Sequence, residues 1–196
     1  MHKLISLGLL ACAAALSSSA SLAQDASWPT KPLRIIVPAV AGSVTDIRAR
    51  WLAPRLAAAL GQSVVVENKA GAGGNIGTEA GAKSAPDGYT LTLIHHGTMT
   101  VNPHLYARTG YDPLVDFVAL TRVGGGTPMV LAVAADSPAK DVKDLVRMAK
   151  EKPGRLSFGS SGVGTPPHMA GELFKRQAGI DAIHVPYKGG GRPRLT

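Results

Sequence analysis

Read for apolar and polar positions, the chain alternates short β-branched runs with longer stretches of helical spacing. The run Leu33–Val37 (LRIIV) predicts a buried strand. Pro38, small residues and Gly42 break it, and a helix start follows, with Ser43 or Thr45 as N-cap and Asp46 in the first turn. Ile47, Trp51, Leu52, Leu56 and Leu60 share one face, which predicts a helix over about 46–60. Pro54 should kink or split that helix and Gly61 should stop it. Further strands are expected at 64–66, 89–94, 129–134, 156–158 and 183–185, with an extended apolar segment over 117–123. Further helices are expected at 76–83, 102–106 and from Val142 to about Lys150, with another after Pro166-Pro167 that carries Met169, Leu173 and Phe174 inward. Gly124-Gly125-Gly126 is a flexible break that marks a domain crossing, dividing the chain into 24–123 and 124–196.

Strand, small-residue loop and helix occur at Leu33, at Val64 leading into GAGGNIG (71–77), and at Leu156 leading into GSSGVGTPPH (159–168). A helix start carries unpaired N–H groups and a partial positive charge, so it suits a carboxylate or phosphate. Three such turns on one crevice would make a small-anion site. His95-His96-Gly97-Thr98 ends another expected strand and joins the candidates, because ligands gather at strand carboxyl ends in open α/β sheets.

The N-terminus changes the picture. Lys3, the apolar run 4–16 and the small-x-small Ser21-Leu22-Ala23 read as a secretory signal peptide over 1–23, cut before Gln24. A membrane anchor needs a longer apolar run, and the lipoprotein-like LLAC at 9–12 follows too short a one. Cys12 is the single cysteine and lies in that leader, so the mature chain holds no disulfide or thiol chemistry. Its stability must come from a core. The net charge of +8 is scattered and not interleaved with aromatics, which argues against nucleic acid. It serves solubility or a mild attraction for anions.

Several motifs invite chemistry and fall short of it. GAGGNIG has Ile76 where a dinucleotide fingerprint needs its third glycine, so no nucleotide cofactor is expected. Ser160 and Ser161 both miss the register of a nucleophile elbow, although His168 and His184 downstream keep a secreted serine hydrolase using Ser161 as the rival reading. The histidines lack metal-ligand spacing, so no metal is expected. His168 reads either as a ligand contact or as a histidine bonded to nearby backbone. Asp46 reads either as a first-turn acid or as a contact to a ligand's amino group.

The chain resembles the extracytoplasmic solute receptors of tripartite tricarboxylate transporters, the Bug receptors. The carriers are WPTKP (28–32), IVP (36–38), Thr45-Asp46, VVVEN (64–68), GAGGNIG (71–77), PDGYT (86–90), Asn102-Pro103, YDP (111–113), Asp116-Phe117, SSGVGT (160–165), His168, GELF (171–174) and HVPYKG (184–189). The resemblance implies two α/β lobes of the periplasmic-binding-protein (Venus flytrap) type, closing on a small organic acid. It implies a periplasmic monomer that delivers to membrane permease subunits without catalysis. Ser43, Thr45, Ser160, Ser161, Gly164 and Thr165 are then the expected carboxylate contacts, with Asp46, His96, Thr98 and His168 around them.

Two departures stand out. Ala39, Val40 and Ala41 replace the family's aromatic and prolines, and Ser43 replaces a glycine, which makes a roomier cleft. After Gly191 the family continues, whereas here RPRLT ends the chain, so an incomplete second lobe from a truncated or frameshifted copy is expected.

Overall fold

The computed structural model describes residues 28–126 and 128–189. The expected signal peptide and the closing RPRLT lie outside them. The described residues from Lys31 onward belong to one compact unit.

Strand β1 (Leu33–Val37) is the centre of a three-stranded parallel sheet. Its neighbours are β2 (Val64–Asn68) and β3 (Thr90–Thr92), in the order β2-β1-β3. Leu33 stands against Val64 and Ile36 against Thr92. A central parallel strand is covered on both faces, which is why four of its five residues are apolar and buried. Helix α1 (Val44–Leu60) crosses from β1 to β2 and lays Ala49 and Ala53 on Ile35 and Val37. Helix α2 (Asn75–Ala82) crosses from β2 to β3.

Helix α1 begins at the first of its two expected caps. Ser43 is extended and its hydroxyl accepts the Asp46 amide at 3.2 Å, while Thr45 lies inside the helix. Gly61 ends it in the left-handed region, at φ 67°. Pro54 neither splits nor ends it: the helix runs through, although Pro54 has no N–H to donate.

After β3, a π-type turn (Gly97–Val101) leads into the short α3 (Asn102–Leu105). Among the described residues no helix or strand follows until α4 (Val142–Glu151). The strand expected at 129–134 is therefore absent, and 117–123 joins no sheet. Apolar patterning predicts burial, but a strand also needs a neighbour to pair with, and neither segment has one. Val118, Leu120 and Val130 are instead more than 70% exposed.

The second sheet pairs β4 (Leu156–Ser160) with β5 (Ala182–Pro186) in parallel, joined by α5 (Pro166–Ala178). Prolines 166 and 167 occupy the first turn of α5, where their missing N–H groups leave no gap.

Candidate functional site

The loop after β1 is held by a carboxylate. Asp46, 2% exposed, accepts the Gly42 amide at 2.8 Å, the Asn68 amide group at 2.9 Å and the Arg50 guanidinium at 3.0 Å. Asn68 also donates to the Ala39 carbonyl at 3.1 Å. Burial alone would raise the Asp46 pKa. The hydrogen bonds from Arg50, Gly42 and Asn68 outweigh it and hold the carboxyl below its usual range. Both oxygens of Asp46 are thus occupied by protein donors, and its work is to shape the loop that presents Ser43 and Thr45.

A second polar knot lies behind the glycine loop that follows β2. Asn102 donates to Asn75 Oδ1 at 2.6 Å, and the Tyr111 hydroxyl lies 2.9 Å from the same oxygen and 2.6 Å from the Thr98 carbonyl. Burial, then the neighbouring Tyr106, pushes the Tyr111 pKa up to about 12. Thr98 is fully buried, its hydroxyl donating to the His95 carbonyl at 2.9 Å. His95 lies alongside: burial first, then His96, lowers its pKa to about 4, against a hydrogen bond with Gly73 that favours the charged form.

The loop after β4 docks on this knot. Tyr106 donates to the Val163 carbonyl at 3.0 Å. Gly73 faces Val163, and Gly164 faces Asn102, so closely that a Cβ at either glycine would collide. Both have φ near 70°, in the region that favours glycine.

Within this loop, Ser160 is buried, and its Oγ lies 2.7 Å from His184 Nε2 and 3.1 Å from the Gly162 amide. Thr165 caps α5 by position, while its hydroxyl donates to the Gly162 carbonyl at 2.6 Å. The Ser161 carbonyl accepts the Gly189 amide at 3.1 Å. The Gly164 amide donates to His168 Nδ1 at 3.2 Å. The serine that meets a histidine is therefore Ser160, one position from the residue that the hydrolase reading requires.

A cavity of about 2140 Å³ opens between these loops. It gathers Ser43, Thr45, His96, Ser160, Ser161 and Thr165 on one wall system, together with the Gly71–Gly74 backbone. Of the other expected residues, Asp46, Thr98, Gly164 and His168 do not line it; they sit behind the loops that do. Reasoning from sequence missed Arg48, which lines the cavity and donates to the Gly125 carbonyl at 3.2 Å. Its one signal was its place one turn after Thr45. It also missed the Asn75–Asn102–Tyr111 knot, whose members lie up to 36 residues apart. Among the described residues no group of three His, Cys, Asp or Glu is placed to hold a metal.

Comparison with known proteins shows the family. The model of the tripartite tricarboxylate transporter family receptor matches residues 48–195. BugT of Bordetella pertussis is 40% identical over 166 residues, covering 84% of this chain and 51% of that protein. A second protein of the same organism, from the UPF0065 group, is 37% identical over 175 residues, covering 89% of this chain and 54% of its own length. The chain thus spans about half the length of the curated relatives it matches. A solved periplasmic transporter superposes with TM-score 0.75 at 43% identity, over 84% of this chain and 55% of the other. Rhodopseudomonas palustris Rpa4515, solved with adipate, gives 0.72 at 36% identity over 83% and 54%. MatC of the same organism, solved with bound malate, gives 0.69 at 28% over 83% and 55%.

Proposed function

We propose a function from one premise: this chain belongs to the tripartite tricarboxylate transporter receptor family. It is a periplasmic solute-binding receptor that captures a small carboxylated organic molecule and delivers it, without catalysis, to the membrane permease subunits of such a transporter. It acts as a monomer, exported by a signal peptide cut before Gln24. Its first lobe covers 24–123, and 124–196 supply part of the second.

One observation carries this reading. The start of α1 (Ser43, Thr45), the end of β4 with the loop after it (Ser160, Ser161) and the cap of α5 (Thr165) line the same cavity. Two helix N-termini bring partial positive charge and N–H donors to that one cavity. The adipate of Rpa4515 and the malate of MatC are both carboxylates, which supports an organic acid as the solute. Ser43, Thr45, Ser160, Ser161 and Thr165 are the proposed contacts, with His96 at the cavity rim and Asp46, Thr98, Gly164 and His168 behind them.

Calorimetric titration with adipate and with malate tests this, run beside their neutral diamides and an ester-hydrolysis assay. Saturable binding of an acid but not of its diamide is expected. Ester turnover that disappears in Ser160→Ala, without acid binding, would overturn the receptor reading in favour of a hydrolase.

A further inference from the structure

Two histidines stand behind the loop at 160–165 and outside the set of proposed contacts. His168 lies in the first turn of α5, and its Nδ1 accepts the Gly164 amide at 3.2 Å. An N–H can donate only to a lone pair, so this nitrogen carries no proton. The His168 ring stacks on His184, with centroids 4.1 Å apart and planes at 30°. His184 in turn reaches Ser160 Oγ at 2.7 Å and stacks on Phe158 with centroids 5.0 Å apart. The pair therefore grips the loop at both ends, Ser160 at its start and Gly164 near its finish.

A proton on His168 Nδ1 undoes half of that grip. Two N–H groups would then face each other, and the buried Gly164 amide would lose its acceptor. The cation would also sit at the positive end of α5. The groups facing it offer little relief. β5 presents His184, whose pKa is held below its ordinary value by burial first and then by His168 and Lys175, against Glu172. β4 presents Phe158 and Ser160, neither of them charged. On α5 itself, Glu172 is already paired with Lys175 at 3.1 Å, and Lys175 lies over the Phe158 ring at 5.8 Å.

We propose that His168 is a positioning residue of the carboxylate loop: its neutral ring fixes the Gly164 amide, and its protonation frees the loop and releases the solute. The proposal rests on the receptor reading above. Solute capture is then favoured at neutral pH and weakened in acid through the protein itself, in addition to any titration of the solute.

The test follows the full chain, labelled with ¹⁵N, from pH 8 to pH 5, with calorimetric titration of adipate at the same pH values. Wild type is compared with His168→Asn, whose Oδ1 can replace the Nδ1 acceptor without titrating, and with His168→Phe, which keeps the stack and drops the acceptor. The Gly164 amide resonance should move with the His168 titration in wild type and stay still in His168→Asn. Adipate affinity should fall about tenfold more between pH 8 and pH 5 in wild type than in His168→Asn, and be weak throughout in His168→Phe. A Gly164 amide indifferent to His168, or one pH profile shared by wild type and His168→Asn, overturns the proposal. If the amide follows His168 but no variant binds adipate, the positioning contact stands and the receptor reading fails.

Discussion

The Tyr106 hydroxyl donates to the Val163 carbonyl at 3.0 Å, across 57 residues of chain. This bond joins the segment after α3 to the loop before α5, so it ties together the two sides of the cavity. Burial raises the Tyr106 pKa, which keeps the hydroxyl protonated and donating at neutral pH. Tyr106→Phe removes the donor and strands the Val163 carbonyl, at a cost of about 1 kcal/mol. If closure of the two sides is part of binding, organic-acid affinity should drop about fivefold, chiefly through faster release. Stopped-flow dissociation with unchanged rates in Tyr106→Phe would show that the bond only decorates the closed form.

The loop chemistry itself is tested by removing hydroxyls. Ser161, in the loop after β4, and Thr165, at the cap of α5, line the cavity. Charge-assisted hydrogen bonds from such a pair are worth roughly 3 kcal/mol in a closed cleft. Ser161→Ala with Thr165→Ala should therefore weaken binding by roughly a hundredfold. Thr165 also braces the Gly162 carbonyl at 2.6 Å, so Thr165→Ser, which keeps that hydroxyl, should recover most of its share. Equal affinities in the double variant and the parent, by calorimetry, would remove these residues from the site.

Asp46 is expected to matter for folding. Asp46→Ala leaves the Gly42 amide, Asn68 and Arg50 without their shared acceptor. The loss should be roughly 2–3 kcal/mol in urea denaturation. Because the folded pKa is depressed, this stability is present above the unfolded carboxylate range and fades as pH falls through the folded value. The gap between Asp46→Ala and wild type should therefore narrow in acid. A gap that stays constant down to strongly acid pH would mean that the ionised carboxylate is not what holds the loop.

These contacts show which parts of the site local sequence encodes. β1 was legible because a β-branched run between breakers has few other uses, and Ser43 was legible because a cap and its first-turn acid lie three residues apart. The strand expected over 129–134 failed for the opposite reason, and the extended apolar segment over 117–123 joined no sheet: their patterning is local, but pairing is not. His168 was left between ligand and backbone, and only geometry shows its Nδ1 on the Gly164 amide. The Asn75–Asn102–Tyr111 knot had no local signature, since polar residues at helix starts and in loops look the same whether they face solvent or each other.

His95 gives a pH dependence of its own. Its pKa is lowered to about 4 by burial and by His96. A histidine with a depressed folded pKa binds fewer protons when folded, so stability is complete above the unfolded value near 6.5 and is lost as pH falls toward 4. The loss amounts to roughly 3 kcal/mol at pH 4. His95→Gln, which cannot titrate, should show a smaller fall in urea midpoint between pH 7 and pH 4.5. Parallel curves for the two proteins would place His95 in a better-solvated setting than the fold implies.

The last prediction concerns the segment between α3 and α4. Leu114 is 91% exposed, Val118 87% and Val130 81%, and Val115, Leu120 and Leu131 are each more than half exposed. Isolated apolar side chains on a surface are ordinary, but so many of them, over the turn at 113–115 and the chain beyond it that joins no sheet, form an apolar strip. The sheets offer it edges: β2 and β3 flank the first sheet, and β4 and β5 form a sheet of only two strands. Exposed edges and apolar extended chain are the two ingredients of edge-to-edge association. Whole-domain stability is only about 5–15 kcal/mol, so a protein that leaves this much apolar surface uncovered should be marginal and self-associating. Light scattering at micromolar concentration should report oligomers, and a dye that reports apolar surface should bind. Val118→Lys with Leu120→Lys should suppress both while leaving the far-ultraviolet circular dichroism unchanged, because neither residue belongs to a helix or strand. Hydrogen exchange should place the strongest protection on β1 and α1, whose apolar core is the best buried of the chain. A monodisperse monomer with a sharp unfolding transition and no dye binding would mean that the strip is covered in solution by chain or contacts that these residues do not reveal.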